Sequence, residues 1–278
     1  MKKHLSTIFL VLILIVGLSL LLYPTFSNWW NELHSSRAIA DYDESMANMS
    51  DEDYTHLFDA AMEYNEALAQ LSHPLMYYDQ VPGYRELLDI TGNGIMGYIT
   101  IEKIDVNLPI YHGTSEGVLQ IAVGHVEGSS LPTGGEGTHC VLSAHRGLPS
   151  ARLFTDLDKM EVGDVFVLSV IDLTLTYQVD QILIVEPYEV DALYAEEGED
   201  YCTLVTCTPY GVNSHRLLVR GHRIENIEIS KAVRVTANAV MIEPLLVAPV
   251  LAAPVLLVLL IGLLLPSKPR SRYDDDEF

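Results

Sequence analysis

The stretch that decides the fold of this 278-residue chain is Thr203-Leu204-Val205-Thr206-Cys207-Thr208-Pro209-Tyr210-Gly211. It opens with a run of β-forming residues that leads to Cys207, and a proline and a glycine follow almost at once. The pattern predicts a strand that stops just after the cysteine. The Cys207 thiol would then lie at a strand end, where a loop can open a groove around it.

Two other stretches supply partners for this thiol. Arg216-Leu217-Leu218-Val219-Arg220 begins a second apolar run after a short loop, which would place Arg216 beside Cys207. Upstream, Val141-Leu142-Ser143-Ala144 leads to His145 and then to Gly147. A nucleophilic thiol needs a base or an imidazolium partner, and a cation can hold the developing oxyanion. Cys207, His145 and Arg216 are therefore the candidate catalytic residues.

These motifs resemble those of the sortases, the membrane-bound cysteine transpeptidases of Gram-positive cell envelopes. Thr-Leu-Val-Thr-Cys at 203–207 matches the T-L-x-T-C signature of the family, and the resemblance runs from about Gly97 to Arg223. It is closest to the class C, or pilin-polymerising, branch. The stretches that carry this are Gly147-Leu148-Pro149-Ser150-Ala151, Leu153-Phe154-Thr155-Asp156-Leu157 and Thr206-Cys207-Thr208-Pro209-Tyr210-Gly211.

The resemblance implies a mainly β fold, a closed eight-stranded barrel with short helices. It also implies that Cys207 attacks an L-P-x-T-G-like sorting signal between Thr and Gly and forms a thioester. In the class C branch a lysine amine of a pilin subunit resolves that thioester, so the implied partners are pilins or surface proteins that carry such signals. The alternatives are a sortase that anchors surface proteins to wall peptidoglycan, a cysteine hydrolase, or a wall-anchored surface protein that is itself a substrate.

No cofactor or metal is expected from the sequence. It contains no glycine-rich nucleotide-binding motif, and its histidines show no metal-ligand spacing. We therefore interpret His112, His125, His215 and His222 as packing or surface residues. Leu131-Pro132-Thr133-Gly134-Gly135 looks superficially like a sorting signal, but its order differs and it precedes a predicted strand, so we interpret it as a turn.

The predicted lid-like segment, residues 72–88, precedes the barrel. In class C sortases the matching region carries an aspartate-proline-aromatic tripeptide that lies in the active-site groove. Here the tripeptide is His73-Pro74-Leu75, so the proline is kept and both flanking residues depart from the pattern. We expect residues 72–77 to lie near Cys207 but to hold the groove only weakly.

The sequence pattern at each end of the chain predicts a membrane anchor. Residues 5–23 and 245–265 are apolar and uncharged, and basic residues flank each of them on the terminal side. The prediction is a cytoplasmic N-terminus at 1–4, two transmembrane helices, a cytoplasmic tail at 266–278 and an extracellular catalytic domain. A cleaved signal peptide is the competing interpretation of the first run.

Between the anchors we predict a helical stalk at 24–71, the lid-like segment, a catalytic barrel at 89–230 and a linker at 231–244. The stalk would hold helices at 29–48 and 52–71, the second capped by Ser50 or Asp51. Further expected elements are short helices within 116–123 and 151–159 and separate strands at 173–179 and 182–185. The formal charge of −22 argues against nucleic acid or an anionic membrane surface as a partner.

The chain has two more cysteines. Cys140 lies five residues before His145, and Cys202 lies five residues before Cys207. If the two strands are neighbours, as the sortase barrel implies, equal offsets make these thiols neighbours too. The sequence leaves open whether these two cysteines are reduced thiols or form a disulfide.

Overall fold

The computed structural model describes residues 2–226 of the chain. The predicted linker at 231–244, the second span at 245–265 and the tail at 266–278 lie outside this range. The described part begins with two helices, α1 (Lys2–Ala47) and α2 (Asp51–Ala69). Within it, α1 alone is long and apolar enough to cross a membrane.

Helix α1 is continuous through the predicted boundary between the membrane anchor and the stalk. Pro24 lies inside it, and the expected helix at 29–48 is its C-terminal part. A single proline removes one backbone hydrogen bond, which can kink a helix without ending it. At the start of α2, Ser50 is the N-cap, and its side chain and that of Asp53 form a capping box.

Eight strands follow and close into a barrel in the order β1-β2-β3-β4-β7-β8-β6-β5. Their bounds are β1 (Ile95–Ile101), β2 (Val106–His112), β3 (Val123–His125), β4 (Thr138–Ser143), β5 (Val165–Val170), β6 (Leu173–Val185), β7 (Asp200–Thr208) and β8 (His215–Ile224). Two short helices accompany them, α3 (Pro74–Tyr77) and α4 (Glu116–Leu119). The expected eight-stranded sortase-type barrel with short helices is confirmed.

The strand directions give the barrel two distinct ends. Strands β4 and β7 run parallel, and both finish where β8 begins. We call this the Cys207 end; it also holds the ends of β1 and β6 and the starts of β2, β3 and β5. The opposite end holds the starts of β1, β4, β6 and β7.

Strand alternation separates the core from the outer face of β4 and β7. Cys140, Leu142, Cys202 and Leu204 belong to the buried core, together with Phe166 and other apolar side chains of the remaining strands. Because successive side chains of a strand point to opposite faces, the odd-numbered residues of these two strands point outward. Cys207 is among them, so the thiol belongs to the outer surface of the barrel.

Both long helices lean against the barrel. Tyr42 of α1 is buried, donates a hydrogen bond to the Met96 carbonyl and accepts one from the Ile171 amide. Tyr64 and Leu68 of α2 belong to the main core cluster. The barrel therefore holds the C-terminal part of α1 at defined points.

Two local expectations are corrected. Residues 151–159 form only a single 3-10 turn, Leu157–Lys159, because Leu153 adopts a positive φ of 40° that interrupts a helix. The two strands expected at 173–179 and 182–185 are one strand, β6, with a register shift between Val179 and Gln181. A bulge lets a strand bend without ending.

Candidate active site

Cys207 and Arg216 face each other across two strands. They are directly paired in the antiparallel ladder between β7 and β8, one residue from the loop that joins these strands. Opposed residues have Cβ atoms about 5 Å apart. A thiol and a guanidinium are thus held side by side at the Cys207 end, as the sequence spacing predicts.

His145 comes to the same place from the neighbouring strand. Ser143, the last residue of β4, pairs with Val205 of β7. Beyond it the chain stays attached to β7: the Ala144 amide donates to the Val205 carbonyl, and the Thr206 hydroxyl donates to the Ala144 carbonyl over 2.8 Å. His145 therefore leaves the sheet alongside Cys207.

The Arg216 guanidinium is oriented by the loop beside it. Its Nη1 donates to the carbonyls of Asn213 and His215, over 3.3 and 3.1 Å. Within residues 2–226 its hydrogen bonds use only this nitrogen, so Nη2 and Nε can serve a substrate oxygen. A planar fork of donors suits a developing oxyanion.

Two carboxylates lie near histidines of the site. Glu116 Oε2 of α4 is 4.0 Å from His145 Nε2. Glu186 Oε1 is 3.2 Å from Nε2 of His215, the residue before Arg216. The Glu116 contact is long and the Glu116 side chain is exposed, so this pair holds His145 only loosely.

Arg146 joins the two flanks of the site, and its place after His145 was the only feature of the sequence that pointed to it. Its Nη1 donates to the hydroxyl of Thr208, the residue after Cys207. Its Nε donates to the Thr155 carbonyl, and its Nη2 pairs with Asp158. The side chain is 8% exposed. The residues next to His145 and next to Cys207 are thereby tied together.

The outer face of β4 and β7 continues from Cys207 as a strip that also holds Thr203 and His139. His139 Nδ1 donates to the Tyr194 carbonyl, and its Nε2 accepts from the Thr203 hydroxyl. Burial lowers the pKa of His139 to about 4, against the opposing effect of the hydrogen bond to Tyr194. His139 is therefore neutral at physiological pH.

The lid-like segment contacts this strip at its far end. Pro74 and Leu75 line a small pocket with His139 and Tyr194, and the ring of His73 lies edge-on to that of Tyr194 at 6.3 Å. His139 pairs with Tyr201, six residues before Cys207, which is roughly 20 Å along a strand. The contacts of the tripeptide thus lie further from Cys207 than we expected, and its role as a lid stays a prediction.

The thiols of Cys140 and Cys202 are neighbours, as their equal distances along the chain from His145 and Cys207 predict. Cys140 and Cys202 are paired in the ladder between β4 and β7, and both are buried and free. Burial, and then the neighbouring Cys140 thiol, raise the pKa of Cys202. Cys140 and Cys202 are both buried, whereas Cys207 is partly exposed, so Cys207 is the thiol that a substrate can reach and the reactive candidate of the three.

The remaining histidines take packing positions. His112 and His125 are buried, and both ring nitrogens of each are hydrogen-bonded to neighbours of the core, including Tyr84 for His125. Burial lowers the pKa of His112. Among residues 2–226, no group of three or more His, Cys, Asp or Glu side chains could hold a metal ion.

Comparison with known proteins agrees with this geometry. Residues 99–224 match the family model of the sortase domain. The crystal structure of sortase C1 from Streptococcus agalactiae is 51% identical, with a TM-score of 0.63; the alignment covers 69% of this chain and 100% of that one. Sortase C-1 from Streptococcus pneumoniae is 44% identical, with a TM-score of 0.62 and coverage of 69% and 100%.

Curated relatives are more distant. Sortase D of Bacillus subtilis is 29% identical over 46% of this chain and 63% of the relative. Sortase A of Streptococcus agalactiae is 30% identical over 41% of this chain and 47% of the relative. The aligned part of this chain thus spans between about half and two thirds of these proteins. The chain belongs to the sortase family, and within it to the class C sortases.

Proposed function

We propose that this chain is a membrane-anchored cysteine transpeptidase that cleaves an L-P-x-T-G-like signal between Thr and Gly and joins the threonine to a lysine amine of a pilin subunit. The observation that carries the proposal is the cross-strand pair of Cys207 and Arg216 with His145 leaving the sheet beside it. The class C relatives support the acceptor, because the sortase C structure of Streptococcus pneumoniae bears on pilin substrate specificity.

The reaction follows from these three side chains. The Cys207 thiolate attacks the threonyl carbonyl carbon, and Arg216 donates hydrogen bonds to the oxyanion. His145, as imidazolium, gives its proton to the glycine nitrogen as the peptide bond breaks, which leaves a thioester on Cys207. An amine then attacks the thioester carbonyl, His145 takes the amine proton, and the thiolate leaves as the new amide forms.

Cys207→Ala should abolish thioester formation, because no other partly exposed thiol lies within residues 2–226. His145→Ala and Arg216→Ala should each lower the rate by roughly 100- to 1,000-fold, the usual cost of one oxyanion donor or proton-transfer group. The measurement is intact mass of the full chain after incubation with a sorting peptide. Cys140→Ala, which removes a buried thiol instead, is the matched control.

The acceptor distinguishes the alternatives. Each reaction is run with no added amine, with a lysine-bearing pilin peptide, and with a peptidoglycan cross-bridge peptide. Faster product formation with the lysine peptide supports pilin polymerisation, and faster formation with the cross-bridge peptide supports wall anchoring. Equal rates in all three reactions would identify a hydrolase. A normal thioester on Cys207→Ala would refute the proposal.

A further inference from the structure

The exposed apolar side chains of the barrel are not spread evenly. Between residues 95 and 224, the large apolar side chains that are exposed have between 49% and 91% of their surface accessible. They are Ile121, Val162, Ile184, Tyr188, Tyr210 and Val212. In the rest of the described chain beyond α1, Met76, Tyr77 and Tyr78 are the others, and they belong to the lid-like segment.

All six lie at the Cys207 end, and we call them the apolar rim. Tyr210 and Val212 are in the loop from β7 to β8, and Val162 closes the connection from β4 to β5. Ile121 stands just before β3, and Ile184 and Tyr188 are at and after the end of β6. Exposed apolar side chains that gather at one end of a domain mark an interaction site more often than scattered ones do.

The predicted membrane span of α1 adjoins the same end of the barrel. Asn28 Oδ1 accepts a hydrogen bond from the Arg152 amide over 2.7 Å, and Asn31 Nδ2 donates to the Ile121 carbonyl over 3.1 Å. Arg152 lies in the connection from β4 to β5, and Ile121 belongs to the rim. Tyr42, further along α1, contacts the opposite end. The helix therefore runs from the Cys207 end to the opposite end.

The distance from the apolar run to these contacts is short. The predicted span ends at Tyr23, and Asn28 is five residues later, about 8 Å along a helix. The headgroup layer on each side of a bilayer is of similar thickness. The rings of Phe26, Trp29 and Trp30 lie together around Asn28, as in an interfacial aromatic belt.

We propose that the Cys207 end of the barrel rests on the outer face of the membrane through the apolar rim. The candidate active site then lies level with the lipid headgroups of the bilayer. The partner is the bilayer itself, and the contact is apolar, since a chain of charge −22 is not drawn to anionic lipid. As a consequence that rests on the proposed function, the site meets a sorting signal while its own apolar tail is still in the membrane.

Depth-dependent fluorescence quenching tests the contact without any catalysis. Trp29 and Trp30 are the two tryptophans of the chain, and both are replaced by phenylalanine in the full chain. One reporter is added on the rim, Val162→Trp, or at the opposite end, Asp172→Trp, which is also exposed. Each protein is reconstituted into phosphatidylcholine vesicles whose acyl chains are brominated near the headgroup.

We expect at least threefold stronger quenching of the rim reporter, unchanged by high salt. A second pair, Val212→Trp against Glu136→Trp, guards against a local folding defect. Equal quenching at both ends, or stronger quenching at the opposite end, would overturn the proposal. These outcomes do not depend on the thioester, so a failure of the proposed activity is seen separately, as an unmodified Cys207.

An activity assay tests the consequence. Val162→Asp should lower cleavage of a signal that carries its membrane tail in the same vesicles several-fold. Cleavage of a soluble signal peptide should stay within about twofold of the parent. Equal effects on both substrates would contradict a membrane role for the rim.

Discussion

At the scale of the residue, Arg146 is a positioning group for the proposed reaction. Its guanidinium spans from the segment that carries His145 to Thr208, beside Cys207. Arg146→Met should lower kcat at least tenfold with little change in KM, because the substrate still binds while the trio loses its alignment. Arg146→Lys should recover only part of the loss, since lysine lacks the planar fork.

The control for Arg146 is a second arginine of the same connection. Arg152 pairs with Asp156, but its side chain is half exposed and does not reach β7. Arg152→Met should leave kcat nearly unchanged in a peptide-cleavage assay. Equal losses for the two variants would mean that Arg146 only supports the fold of the connection.

His139 makes the stability of the barrel depend on pH. Burial lowers the pKa of His139 to about 4 in the folded chain, against the ordinary histidine value of 6.5. Between pH 6.5 and pH 4 the unfolded chain therefore binds a proton on this histidine that the folded chain does not bind. The free energy of unfolding falls as the pH drops through this range. The largest loss from this residue is on the order of 3 kcal/mol. Arg220 opposes protonation, and Asp180 favours it.

Urea unfolding at pH 4.5 and at pH 7 measures this dependence. His139→Asn should reduce the difference in unfolding free energy between the two pH values. His56→Asn, at an exposed position on α2, should leave it unchanged. A pH dependence that survives in His139→Asn would assign the effect to other groups.

Residue-level prediction from the sequence succeeds where the signal is local in the chain. The spacing of Cys207 and Arg216 defines a hairpin, and the hairpin determines their pairing. Arg146 had no such signal, because Thr208 is 62 residues away and Asp158 is 12 residues away along the chain. Glu116 was missed for the same reason, since α4 meets His145 only after the barrel closes.

At the scale of the element, the strands around the catalytic motifs were easier to predict than the connections. Runs of β-formers locate β4, β7 and β8, since their alternation is set by burial in the barrel. The connection at 151–159 has helical spacing but is shaped by tertiary contacts, including the hydrogen bond from Arg146 to Thr155. The spacing of apolar residues within one segment carries no information about such a contact.

The lid-like segment gives a second element-scale prediction. His73 offers no negative charge to Arg216, and Leu75 offers less area than an aromatic ring. His73→Asp with Leu75→Trp should restore the family pattern, draw the segment toward Cys207 and slow thiol labelling of Cys207. Met76→Trp, which adds bulk at an exposed position of the same segment, is the control. Unchanged labelling of the double variant would show that these positions do not control access to the thiol.

At the scale of the whole molecule, the short strands at close spacing suggested a closed barrel. The family resemblance supplied the number of strands, eight. The sequence left open whether the N-terminal helices stand apart or lean on the barrel. That choice depends on single buried contacts, of which Tyr42 makes the best defined.

Tyr42 should therefore control how firmly α1 is held against the barrel. Its hydroxyl bridges the Met96 carbonyl and the Ile171 amide in a buried position. Tyr42→Phe leaves both backbone groups without this partner, which costs about 1–3 kcal/mol. Because that loss falls on the interface between α1 and the barrel, the C-terminal part of α1 should loosen before the barrel unfolds.

Hydrogen exchange of the full chain in vesicles measures this: in Tyr42→Phe, amides of residues 35–46 should exchange at least tenfold faster, while those of β7 keep their rates. Ser36→Ala, on the exposed side of the same helix, should change neither. Faster exchange throughout the barrel would mean instead that α1 and the barrel unfold as one unit.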